Sequence, residues 1–342
     1  MKKIFISAIG IILFLTTLFL WASGGIQKPG TSEYPAIDYG SGEEVKPTSD
    51  KLTVMTWNLA WAYGFGSEGN GYVPKSESEM AERLQKIGET IKNSNADIVL
   101  MQEIDFNSSR SHHVDQLKEL AKITGLRYAA KVVSWKANYV PFPYWPISNQ
   151  FGAINSGGAV LSRYPITDNL VTLYPKPESN AWYYNAFYLF RYSEQVNIKF
   201  GDKNLMVVDN HLEAYDKQNR EEQAQLLSDL VKNLKSDIVI VGGDMNTVPP
   251  EATKKSDFPD GTDDYRDDNT LNILRGMSSL KEVIPIEDYT KNESAYFTFP
   301  SFAPNRRLDY IFVPIKVNVV SMGVISVGEM SDHLPVRAEL DL

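Results

Sequence analysis

Apolar and polar positions alternate along residues 52–59, Leu-Thr-Val-Met-Thr-Trp-Asn-Leu, which predicts a strand ending at Asn58. The period then lengthens: Met80, Leu84, Ile87 and Ile91 recur at helical spacing and predict a helix over 77–94. Residues 96–103 form an apolar run that closes on the carboxylate of Glu103, as expected of a buried strand. A second helix is expected over 111–124, stopped by Gly125. A strand and turn at 156–166 follow, then paired strands at 186–192 and 204–210. The helix expected over 217–234 turns Ala224, Leu227, Leu230, Val231 and Leu234 inward. Residues 238–241, Ile-Val-Ile-Val, suit a strand covered on both faces. That strand ends on Gly242-Gly243 and then presents Asp244 and Asn246, which point the same way if the backbone stays extended. The competing reading of this end is plain turn chemistry. Strands at 307–313 and near 340 complete the chain, with Ser331-Asp332-His333 between them. No internal repeat is visible, and the alternation from residue 52 to 342 predicts an α/β or α+β domain.

Two stretches break the alternation. Lys2 and Lys3 precede an uncharged, mostly apolar run of 18 residues ending at Trp21. That is long for a signal-peptide core and just long enough to span a bilayer. Small residues, Ala22-Ser23-Gly24, follow it. Residues 1–23 are therefore expected to be a signal peptide or an N-terminal membrane anchor, and the remainder to be exported. Residues 24–50, rich in Gly, Pro, Ser and charge, are expected to form a flexible linker. A domain at 51–342 follows. Within it, residues 128–151 carry Trp135, Tyr139, Phe142, Tyr144, Trp145 and Phe151 spaced by prolines, which excludes a regular helix. This stretch is expected to be a loop, either packing its rings on the domain or forming a wall that faces substrate or membrane. The stretch 60–74 is likewise expected to be a loop.

The chain has no cysteine, which excludes disulfides, thiolate metal sites and a cysteine nucleophile. Its net charge of −9 disfavours nonspecific binding to nucleic acid or anionic lipid, yet leaves open catalysis on phosphate esters with a divalent cation supplying local positive field. Six aspartates and one arginine lie within 257–268, and their spacing fits no calcium template, so a solvated acidic loop is expected.

Six segments start or end a strand on a polar residue: Asn58, Glu103, His211, Asp244 with Asn246, Asp309, and Asp332 with His333. Their recurrence points to one pocket at the ends of a sheet. Carboxylates and amides are hard oxygen donors, suited to Mg²⁺ or Mn²⁺. Of four histidines, two lie in these segments, and His112 and His113 are expected to be exposed, so a zinc cluster is poorly supported. Neither a Gly-x-Ser-x-Gly elbow nor a Gly-x-x-x-x-Gly-Lys phosphate loop is present.

The ordered set Thr-Trp-Asn58-Leu, Gln-Glu103, Ser-Gly-Gly-Ala-Val-Leu-Ser-Arg-Tyr-Pro-Ile at 156–166, Asn-His211-Leu, Gly-Gly-Asp244-Met-Asn246, Leu-Asp309-Tyr-Ile-Phe and Ser-Asp332-His333-Leu-Pro resembles the endonuclease/exonuclease/phosphatase superfamily. The resemblance spans roughly residues 52–342. It implies a four-layer α/β sandwich, two packed mixed sheets flanked by helices. It implies a divalent-metal-dependent phosphoesterase that attacks phosphorus in line with water, more readily on diesters than monoesters. By this resemblance Glu103 is the main metal ligand, with Asn58 and Asp332 beside it. Asp244 orients or activates the water, and Asn246 holds the phosphate. His333, oriented by Asp309, contacts the phosphate or acts as acid or base, and His211 contacts the phosphate or protonates the leaving oxygen. The implied partners are a phosphate-ester substrate, either nucleic acid or a phospholipid headgroup, and a membrane through the N-terminal segment; a monomer is expected. After Asn58 the chain reads Leu-Ala-Trp-Ala, without the aspartate of the abasic-site endonucleases, which with His211 argues against a DNA-repair role. Arg110 and Arg163 are better explained as exposed or structural than as phosphate-binding. The alternative from another class is a catalytically silent binding module on the same fold.

Overall fold

Strand parity divides the core into layers. A computed structural model describes residues 2–25, 27–40, 44–63, 74–328 and 330–342, with side chains from residue 9 onward. Among these residues the strands are β1 (Gly30–Glu33), β2 (Ile37–Asp38), β3 (Lys51–Asn58), β4 (Ile98–Asp105), β5 (Tyr128–Val140), β6 (Gly152–Ser162), β7 (Ile166–Leu173), β8 (Tyr192–Phe200), β9 (Lys203–His211), β10 (Ile238–Asp244), β11 (Leu280–Glu282), β12 (Asp309–Pro314), β13 (Asn318–Val324) and β14 (Val336–Asp341). The helices are α1 (Lys2–Ala22), α2 (Glu77–Asn93), α3 (Gln116–Thr124), α4 (Trp182–Asn185), α5 (Lys217–Asn233), α6 (Thr270–Arg275) and α7 (Ile286–Lys291).

The strands form two seven-stranded mixed sheets, in the orders β1-β7-β8-β9-β10-β12-β11 and β13-β14-β3-β4-β6-β5-β2. Leu52 and Val54 of β3, Leu100 of β4, Val207 of β9, Ile240 of β10 and Ile311 of β12 fill the space between the sheets. The alternate residues face outward. Met55 and Trp57 meet Leu84 and Ile87 of α2 and Leu117 and Leu120 of α3. On the other sheet Val208, Val241 and Phe312 meet Ala224, Leu227 and Val231 of α5. This is the expected four-layer α/β sandwich. Burial of these two outer faces, at about 25 cal/mol per Å², gives the helices most of their stability.

The helix ends follow local chemistry. Ser76 caps α2 and closes a reciprocal box with Glu79. Asp115 caps α3, so that helix begins at Gln116 rather than at residue 111; Gly125, at φ 75°, ends it. His112 and His113 lie before the cap, at positive φ, and are exposed as expected.

Several expectations are corrected. Residues 128–140 are not loop but the long strand β5, broken by bulges against β6; only 141–151 connect the two. Residues 186–191 are not strand: α4 and a turn occupy 182–189, and β8 starts at Tyr192. The stretch 24–50 is not a free linker, since β1 extends one sheet against β7 and β2 extends the other against β5. The acidic stretch is not merely solvated: Asp268 is buried against Arg220 at 2.8 Å, and Asp260 and Asp263 bind Arg306 at 2.8 and 3.1 Å. Within the stretch read as a loop at 60–74, residues 60–62 form a buried 3-10 turn; 64–73 lie outside the described residues. Among the described residues no helix is long and apolar enough to cross a membrane.

Candidate active site

Register brings three polar residues into one row. Asp244 at the end of β10 stands opposite His211 on parallel β9 and opposite Asp309 on antiparallel β12. By alternation all three share the inward face of Ile240, Val207 and Ile311, so the inter-sheet core ends here in polar groups. The facing sheet contributes Asn58, which has the parity of Leu52 and Val54. Glu103 has the parity of Val99 and Met101 and should face the helices. Instead the β4–β6 register breaks between Met101 and Ile104, and Glu103 takes φ 54°. This bulge re-aims its carboxylate into the site. Asp332 and His333 arrive on the loop between β13 and β14. Trp57 Nε1 donates to the His333 carbonyl at 2.9 Å, and Ser331 Oγ donates to the Asn58 carbonyl at 2.6 Å, tying that loop to β3.

The side chains converge. Asn58 Nδ2 donates to Asp244 Oδ2 at 3.0 Å and to Glu103 Oε1 at 3.4 Å. His211 Nε2 lies 3.7 Å from Glu103 Oε1 and 3.6 Å from Asp244 Oδ2. His333 Nδ1 lies 2.8 Å from Asp309 Oδ2, and its Nε2 lies 3.7 Å from Asp244 Oδ2. The Phe299 ring, 4.8 Å from the His333 ring, packs against the imidazole. Asn246 does not continue the strand. At φ 48° its N–H returns to Asp244 Oδ1 at 2.9 Å, and its Nδ2 donates to the Leu212 carbonyl at 2.9 Å. The turn reading and the functional placement of Asp244 therefore hold together: the turn fixes the carboxylate. Gly243 permits it, since at φ 139° a Cβ there would meet the Asn210 carbonyl oxygen at 1.9 Å.

Burial and charge separate the titrations. Burial pushes Asp244 up to about 6 and Asp332 up to about 7, and it raises Glu103. Burial alone would lower His333, but the carboxylates of Asp309, Asp244 and Asp332 outweigh it and push the imidazolium up to about 10. His211 moves the other way, well below its ordinary value, through burial and the positive charges of Arg191 and His333. One buried imidazole is thus charged and the other neutral at pH 7.

Arg191 was not singled out in the sequence. It is 4 % exposed, touches His211 Nε2 through Nη1, and lies 3.6 Å from Glu213 Oε2. A guanidinium can only donate, so His211 Nε2 accepts and its ring is neutral. Tyr188 Oη holds the other Glu213 oxygen at 2.7 Å. The available signal was a lone charge inside the aromatic run Phe187-Tyr-Leu-Phe-Arg191-Tyr. Arg110 and Arg163 are structural. Arg110 is buried against Asp105 at 2.9 Å and sits over the Trp61 ring, and Arg163 binds Asp97 at 2.7 Å.

Glu103 and Asp332 line one cavity, and the charge of Glu103 contributes to the rise of Asp332. Two carboxylates facing one cavity suit a hard divalent cation. Asn58 presents its amide nitrogen to the carboxylates while its Oδ1 accepts from Ala60 N at 3.0 Å, so it would offer oxygen to a cation only with the amide turned. Asp244, Asp309 and His333 also form a tight acidic–imidazole group. Its His–Asp hydrogen bond marks it as an oriented imidazole more than a cage. The cavity above these groups holds about 1050 Å³ and is walled by aromatic rings, among them Phe142, Tyr144, Tyr183 and Tyr215.

The model of the Endonuclease/Exonuclease/phosphatase family matches residues 55–333. No curated protein matches the chain. Among solved structures, an endonuclease/exonuclease/phosphatase from Beutenbergia cavernae is 21 % identical over 85 % of this chain and 72 % of its own, with a TM-score of 0.58. The mannosyl-6-phosphatase of Bacteroides thetaiotaomicron is 20 % identical over 85 % and 100 %, with a TM-score of 0.56. TDP2 of D. rerio, solved with a single-strand DNA product, is 16 % identical over 85 % and 99 %, also at 0.56. These likenesses concern the fold.

Proposed function

The chain belongs to the endonuclease/exonuclease/phosphatase family, and from that premise we propose that it is a divalent-metal-dependent phosphodiester hydrolase. The observation that carries this reading is the convergence of Asn58, Glu103, His211, Asp244 and His333 at the floor of one cavity, with Asp309 buried behind His333.

Glu103 and Asp332 would hold the Mg²⁺ or Mn²⁺, with Asn58 assisting; when bound, the ion supplies positive charge to the phosphate. Asp244, near its titration point at neutral pH, accepts the proton of the attacking water. The Asn246 N–H fixes one of its oxygens, and Asn58 Nδ2 holds the other until the amide turns toward the cation. The His333 imidazolium, oriented by Asp309, donates from Nε2 to the phosphate or leaving oxygen. Arg191 adds a buried guanidinium where negative charge develops. Neutral His211 positions that guanidinium rather than giving up a proton. Aromatic walls around a polar floor favour an ester with two organic substituents over a free monoester. Nucleic acid and phospholipid both meet that description.

The test is Mg²⁺-dependent hydrolysis across plasmid DNA, RNA, phosphatidylcholine vesicles and a soluble aryl phosphodiester. Turnover abolished by chelator and by His333→Ala is expected. Turnover that survives both would contradict the assigned site, and a Mg²⁺-saturated protein inert on all four would leave the silent binding module as the better reading.

A further inference from the structure

Exposed apolar side chains gather at the mouth of the catalytic cavity. From residue 9 on, α1 exposes Ile11, Ile12, Leu13 and Phe14 at successive positions, so it is apolar around its whole circumference. Its contacts with the domain are at its base. The Phe19 ring lies 5.4 Å from the rings of Trp182 and of Phe187, and Asn138 Nδ2 donates to the Trp21 carbonyl at 2.8 Å. Phe19 itself lines the catalytic cavity together with Tyr144 and Tyr183. Beside them stand Trp145, 78 % exposed, and Trp182, 74 % exposed.

A helix that is apolar on every side needs a cover on every side. A protein partner would take one stripe of it; a bilayer takes the whole circumference. Exposed tryptophan and tyrosine beside its base is the composition of a membrane–water interface. From residue 9 to its end at Ala22, α1 would reach about 20 Å, enough to pass through one leaflet's hydrocarbon. The net charge of −9 opposes an anionic leaflet, so the fitting surface is zwitterionic.

We propose that α1 and the aromatic rim seat the domain on a zwitterionic bilayer with the cavity mouth at headgroup level, and that the ester cleaved is the phosphodiester of a membrane phospholipid. The substrate half rests on the hydrolase reading above. In the reaction the water oxygen bonds to phosphorus, the P–O bond to one ester alcohol breaks, and the leaving oxygen takes a proton; the products are an alcohol and a phosphomonoester.

The experiment uses the full chain, wild type and Trp145→Ser/Trp182→Ser, on phosphatidylcholine vesicles carrying brominated acyl chains. Two rates are read in parallel, on vesicle phospholipid and on a soluble aryl phosphodiester. We expect bromine to quench wild-type tryptophan fluorescence and the double variant to lose the share due to Trp145 and Trp182, leaving that of Trp21 on α1. We also expect its vesicle rate to fall about tenfold, the equivalent of 1.4 kcal/mol, while the soluble rate holds and so reports an intact fold. Vesicle-bound wild type without quenching of these two tryptophans would overturn the docking. Equal loss of both rates would overturn it too. Plasmid DNA cleaved while phosphatidylcholine stays intact would overturn the lipid substrate. Quenching with no turnover of either diester would instead defeat the hydrolase reading and uphold the docking.

Discussion

Replacing Asp309 by Asn removes one negative charge 2.8 Å from His333 Nδ1 and leaves the shape of the side chain. Asp309 is fully buried, and its Oδ1 has no hydrogen-bond partner. The new amide can therefore turn its oxygen to the imidazole, and the β12 backbone stays tied to Thr298 Oγ1. The energetic effect follows from the titration. His333 stands at about 10 against an ordinary 6.5, which favours the imidazolium by about 5 kcal/mol. Burial opposes that rise, and Asp309 is the first of the carboxylates that produce it. Loss of one close counter-charge lowers a pKa by about 1–3. The raised value means that the charged form persists up to about pH 10, so the alkaline limb of the rate profile should fall by about two pH units in Asp309→Asn. The assay is kcat against pH on a soluble diester, paired with NMR titration of the His333 ring nitrogens. At pH 7, where the imidazolium stays charged and the amide oxygen still holds it, kcat should fall by less than about tenfold. A variant whose alkaline limb and ring titration match wild type would refute the assignment of His333 as the charged imidazole held by Asp309.

Three further outcomes follow from the same geometry. Arg191→Ala should abolish turnover and also lower stability by about 3–5 kcal/mol, because Glu213 is left buried without its cation; urea melts and kcat together check this. Asp209 is pushed up to about 8 by burial, between Gln102 Nε2 and Tyr192 Oη, so the folded chain holds a proton that the unfolded chain releases near 3.8. Its stabilisation is complete below that pH and is lost as pH rises to about 8. Asp209→Asn should therefore flatten the stability profile between pH 4 and 8 and gain most at pH 8, read from urea midpoints at the two pH values. Gly243→Ala places a Cβ 1.9 Å from a backbone oxygen, at a φ that alanine resists. It should destabilise by more than about 3 kcal/mol or prevent folding, seen in the yield and thermal midpoint of the variant.

The row of His211, Asp244 and Asp309 was legible because each is a polar residue at the end of a β-branched run, where parity fixes its direction. Glu103 was found by type and place, but its direction was not legible. Parity points it at the helices, and only the bulge at φ 54° turns it back. Arg191 escaped because the segment before it was read as strand, while its role depends on Glu213 and His211, partners distant in sequence. The acidic stretch hid its structural work for the same reason: nothing local shows that Arg220 and Arg306 will reach Asp268, Asp260 and Asp263. Aromatics and prolines at 139–151 drew attention away from the strand pattern of 128–140. β1, Gly-Thr-Ser-Glu, has no apolar position at all and is held by backbone pairing and a Thr31–Thr172 hydroxyl hydrogen bond, which no hydrophobic pattern can report.

In-line attack of one water at phosphorus is the step on which the proposed hydrolase rests. It is tested most directly by hydrolysing a P-chiral phosphorothioate diester in ¹⁸O-labelled water. We expect the label to enter the phosphorothioate product with inversion at phosphorus, and Asp244→Asn to lose this turnover. Retention of configuration, which requires a covalent enzyme intermediate, would contradict it.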